Sequence, residues 1–114
     1  MDRLKEPQAK RIRALLISVD RMTRLAWRAV ETIRRGDTRS AEHHLEQACE
    51  AITNCLDVAD GVVPQGGWPL AQPLRDLDLL LREARDTGVV DAVRGELEAI
   101  EEFRPNLGAY LRST

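Results

Sequence analysis

Residues 8–35 contain neither Gly nor Pro and repeat apolar side chains at helical spacing, and this stretch constrains the fold more than any other. Ile12, Leu15, Leu16, Val19, Met22, Ala26, Ala29, Val30 and Ile33 step mostly by three and four, so they share one face of a helix. That face is a stripe broad enough for several neighbours rather than a single coiled-coil seam. Lys10, Arg13, Arg21, Arg24, Arg28 and Arg35 occupy the opposite face. A helix of this length cannot bury its stripe alone. The rest of the chain is therefore expected to cover it.

The remaining pattern supplies three more helices. Gly36-Asp37 reads as a C-terminal cap followed at once by an N-cap, a reversal too tight for anything but antiparallel neighbours. Helix 2 is expected over about 38–59, with Ala41, Leu45, Ala48, Ile52, Cys55 and Ala59 on its inner face. The segment 62–69 carries two Pro and two Gly and reads as the longest irregular connection. Helix 3 is expected over about 73–86, burying Leu74, Leu77, Leu80, Leu81 and Ala84. Helix 4 is expected over about 90–104. There Pro105 should kink or stop it, because the ring lacks a donor and crowds the carbonyl of Glu101. A short helical turn would then return Leu107, Tyr110 and Leu111 to the core. The expected fold is all-α: one domain over 1–114, an antiparallel up-down four-helix bundle with that turn after Pro105.

At 114 residues the chain is long enough to build a core without a metal or disulfide. No run approaches a membrane span, and the first residues lack the apolar core of a signal peptide, so a cytoplasmic chain is expected. Cys49 and Cys55 lie six apart on one expected helix, a climb of about 9 Å, too far to bond to each other. They read as reduced small hydrophobes. Residues 1–35 hold ten Lys/Arg against four Asp/Glu, and residues 36–114 hold seven against fifteen. The first helix is thus a basic rod, expected to lie against acidic neighbours elsewhere in the chain, with a basic face for nucleic acid or an acidic partner as the alternative.

The residues for catalysis are sparse. His43 and His44 are adjacent and point about 100° apart, so they cannot face one metal from a helix. Arg39 and His44 form an Arg-x4-His string that resembles the motif of HEPN ribonucleases, but it stands at the start of the second helix rather than late in the chain. The carboxylates lack the Glu…Glu-x-x-His pattern of di-iron bundles, and Gly66-Gly67 follows no strand. No catalytic residue, metal or cofactor is expected. What remains is apolar surface: Ile17, Leu25, Trp27, Trp68 and Leu79 fall off the main stripes. Scattered exposed apolar residues are ordinary, but five on a small bundle also suit a groove for a partner helix.

Over about residues 15–111 the chain resembles the flagellar export chaperones of the FliS type. The resemblance rests on the Gly36-Asp37 reversal, Ala41 and Ala48 in the helix after it, Gly66-Gly67 before helix 3, and the run Glu98 to Arg104. Of that family's Tyr-Asp-Gly element only the Asp is present, in Val19-Asp20-Arg21, so Asp20 alone is carried over. The resemblance implies a non-catalytic chaperone. It would hold the C-terminal segment of flagellin, let it fold into helices on binding, and prevent polymerisation before export. The expected partner-binding residues are Ile17, Asp20, Leu25, Trp27, Trp68 and Leu79. The first two helices also resemble translin-like RNA-binding proteins, which implies a nucleic-acid face of Arg21, Arg24 and Arg28. A homodimer using the same apolar residues is the third alternative.

Overall fold

In a computed structural model, residues 6–63 and 68–113 are described. They form four helices: α1 (Glu6–Arg35), α2 (Thr38–Asp60), α3 (Ala71–Thr87) and α4 (Asp91–Ser113). The molecule is a rod of 54 × 21 × 21 Å, and α1, about 45 Å long at the usual helical rise, runs most of its length. α1 packs most extensively on α2 and next on α4, and it reaches α3 across a diagonal. Every residue of the α1 stripe is buried except Leu16, which is half-buried. None of the four helices is long and apolar enough to cross a membrane.

The reversal between α1 and α2 forms as its sequence dictates. Gly36 adopts φ +76°, and its N–H donates to Ile33 O while the Asp37 N–H donates to Thr32 O. These two bonds close a Schellman cap, which favours Gly because an added Cβ would strain the left-handed backbone. The Asp37 carboxylate then caps α2 by accepting from the Ser40 N–H at 3.2 Å. That bond stabilises its charged form and pulls its pKa below the ordinary value. Gly88, at φ +76°, ends α3 in the same left-handed conformation, its N–H donating to Ala84 O at 2.7 Å.

Two elements differ from expectation, both at proline. α3 starts at Ala71, so Pro73 lies inside its first turn, where a helix needs no backbone donor. α4 runs through Pro105 to Ser113 as one helix, and the separate turn expected there is its continuation. The missing hydrogen bond is offset by packing: Leu107 and Leu111 are buried beyond the proline. Gly108 is buried on this stretch facing Leu16 of α1; a Cβ there would meet Leu16 at an ordinary contact distance of 3.8 Å and crowd the Arg112 guanidinium at 3.1 Å.

Trp68 is a third difference. Expected on the surface of the long connection, it is 9% exposed and buried together with Val63 and Leu70. Gly66-Gly67, which the sequence singled out, lie outside the described residues.

Candidate functional site

The outer face of α1 and its junction with α4 gather more of the expected site residues than any other surface. Ile17 is 59% exposed and stands at the centre of the α1 face that points away from the core. Beside it an open groove of about 520 Å³ is lined by Ile17, Asp20, Thr23 and Arg24 of α1 and by Glu101, Arg104 and Pro105 of α4.

Two polar ties fasten the helices along this groove. The Arg104 guanidinium donates from Nε to Asp20 Oδ1 at 2.7 Å and from Nη2 to Asp20 Oδ2 at 2.9 Å, a two-pronged carboxylate contact. Its hydrogen bond to Asp20 raises the arginine's pKa further, so Arg104 stays charged throughout the working pH range. Two helical turns along α1, Trp27 Nε1 donates to Glu101 Oε1 at 2.6 Å. Asp20, the position carried over from the chaperone resemblance, is thus a strut between helices with its carboxylate already occupied.

The other expected partner residues divide. Trp27 and Leu25 are half-buried against the core, because bundle neighbours cover both flanks of the α1 stripe. Trp68 is buried and is removed from any exposed surface. Leu79 is 65% exposed on α3, a helix that lines no part of the α1/α4 groove. Of the six residues, the groove brings together Ile17 and Asp20, with Trp27 tied to its Glu101 wall.

Arg21, Arg24 and Arg28 are exposed and form no ion pair among the described residues. This overturns the expectation that acidic neighbours from later helices neutralise the basic rod. Among the described residues, the ion pair linking α1 to a later helix runs the other way, with α1 supplying the carboxylate Asp20 and α4 the cation Arg104. Glu31 is engaged by Arg34 and Arg35 of its own helix. The arginine ridge therefore stays open to solvent.

The sequence reading missed Arg104, Glu101 and Val89. Arg104 and Glu101 lie one helical turn apart just ahead of Pro105, a spacing that places both on one face of α4. Val89, 62% exposed, sits in the short α3–α4 connection, where helical periodicity carries no information.

Elsewhere the side chains are chemically quiet. His44 is half-buried with Nδ1 3.4 Å from Thr32 Oγ1, and Arg39 is exposed. No group of three or more His, Cys, Asp or Glu among the described residues is placed to hold a metal. Cys49 and Cys55 are free thiols in the core. Burial pushes both to a pKa of about 12, with the neighbouring Asp78 adding to the shift at Cys49. Thiols held protonated in this way are poor nucleophiles at neutral pH.

No protein-family model, curated protein or solved structure matches the chain.

Proposed function

We propose that the chain is a non-catalytic binding protein of chaperone type that holds an amphipathic helical segment of a client protein along the outer face of α1. The observation that carries this reading is Ile17. It is a large apolar side chain left in water on an otherwise polar helix face, at the edge of an open groove walled by α1 and α4. An amphipathic helix laid beside α1 covers that side chain and seats one row of its own apolar residues in the groove. The client implied by the sequence resemblance is the C-terminal segment of flagellin, held in the cytoplasm so that its apolar face is covered before export. A segment that folds on docking gives up part of the contact energy as ordering entropy, which keeps the affinity moderate and release feasible.

The test is calorimetric titration of the protein with that flagellin segment at two temperatures. Binding at micromolar affinity or tighter, with a clearly negative heat-capacity change, supports folding of the client onto an apolar surface. No binding heat at either temperature overturns the flagellin reading.

A second reading has its own observation: Arg21, Arg24 and Arg28 are exposed and form no ion pair among the described residues. Such a ridge can take the phosphates of single-stranded RNA. Three phosphate contacts would give a log–log salt slope of about −2.

A further inference from the structure

We propose that the partner helix held on α1 is acidic: an amphipathic segment whose carboxylates flank the apolar row that covers Ile17. This inference rests on the docking reading above and fixes the chemistry of its client.

Arg13, Arg21 and Arg24 stand four residues before, four after and seven after Ile17, and Arg28 continues the same row. All four are exposed. The span from Arg13 to Arg28 is about 22 Å, the length of a four-turn helix laid alongside. The carboxylates near this row are largely committed. Asp20 is bound in both oxygens by Arg104, Glu101 accepts from Trp27, and Glu31 is held by Arg34 and Arg35. Glu50 borders Arg21 across a separate cleft on the α2 side, without an ion pair. An approaching helix therefore meets one apolar contact point set among guanidinium groups that form no ion pair with the described residues.

That pattern also argues against a second copy of the chain as occupant. A two-fold dimer through this face would set the arginine row of one copy against that of the other, and like charges brought together this way oppose association. A basic or neutral helix would gain the Ile17 contact but leave the arginines unanswered. An acidic amphipathic helix satisfies both.

The probes are three synthetic 18-residue helical peptides sharing one Leu face, with Glu, Gln or Lys at the positions flanking it. Their affinities are compared by fluorescence anisotropy at low and high salt. The expected order is Glu tightest, then Gln, then Lys, with the Glu advantage shrinking as salt rises. The triple substitution of Arg21, Arg24 and Arg28 by Gln lowers affinity for the Glu peptide about tenfold, the sum of three exposed pairs, and leaves the Gln peptide unchanged. These arginines are exposed, so the variant keeps the fold, which circular dichroism checks.

Equal binding of the Glu and Gln peptides overturns the acidic-client inference while leaving the docking reading standing. Failure of all three peptides overturns both. Binding of single-stranded oligouridylate at concentrations where none of the peptides binds moves the ridge to nucleic acid and overturns the inference as well.

Discussion

Asp20 and Arg104 lie 84 residues apart in sequence and meet through two parallel hydrogen bonds of 2.7 and 2.9 Å, fastening the middle of α1 to α4 just ahead of Pro105. The pair marks where the proline-bearing end of α4 is held to α1, and it forms one wall of the groove beside Ile17. Its energetic weight is limited, because both side chains remain partly in water. Asp20→Asn is expected to cost less than about 1 kcal/mol in urea denaturation, with the loss shrinking further at high salt. A loss several times larger would mean that the pair holds the helices together rather than aligning them.

Trp27→Phe keeps most of the ring packing and removes the Nε1 donor to Glu101. The expected cost is about 1 kcal/mol, below the range for hydrogen bonds to charged groups because the exposed Glu101 carboxylate regains water when released. Glu101→Gln should lose less, since the amide oxygen can still accept. The two variants compared in one denaturation series separate the hydrogen bond from the packing.

The legible part of this molecule was its local part. The α1 and α2 stripes, the Gly36-Asp37 reversal and the exposure of Ile17 and Leu79 all follow from spacing within one helix or turn. What could not be read depends on side chains distant in sequence. Pro105 obeys a local rule that predicts a stop, but burial of Leu107 and Leu111 against the bundle outweighs the lost hydrogen bond. Trp68 sits among Pro and Gly, where no periodicity says which way a ring points, and the ring is buried in the core. Charge counts showed a basic first helix and an acidic remainder. They could not show that Asp20 would be claimed by an arginine of that acidic remainder.

The thiols give a pH prediction. Cys49 and Cys55 have folded-state pKa values raised to about 12 from an ordinary 9.0. A raised acid pKa means the folded state keeps its proton longer than the unfolded state does. The associated stability is complete below pH 9 and is lost as pH climbs from 9 towards 12. Denaturation midpoints should hold level through neutral pH and fall in that alkaline window. Replacing both cysteines by Ala should flatten the fall, and a thiol reagent at pH 8 should react only after unfolding.

Gly36→Ala places a Cβ on a backbone at φ +76°. Space is open there, so the cost is conformational, about 1–2 kcal/mol, with no clash to add. Gly95→Ala, inside α4 and equally free of neighbours, should instead stabilise by about 1 kcal/mol through helix propensity. Opposite signs from two identical substitutions would show that backbone conformation, rather than size, governs both sites.

Amide shift mapping by nuclear magnetic resonance locates the proposed docking surface on the outer face of α1. The labelled protein is titrated with the flagellin C-terminal segment and with the Glu-flanked peptide, alongside the Ile17→Asp variant. Docking there shifts amides clustered at Ile17, Arg21, Arg24 and the Glu101–Pro105 stretch of α4, and these shifts are absent in the variant. Shifts clustered instead around Leu79 and Val89, or unchanged by Ile17→Asp, would contradict it.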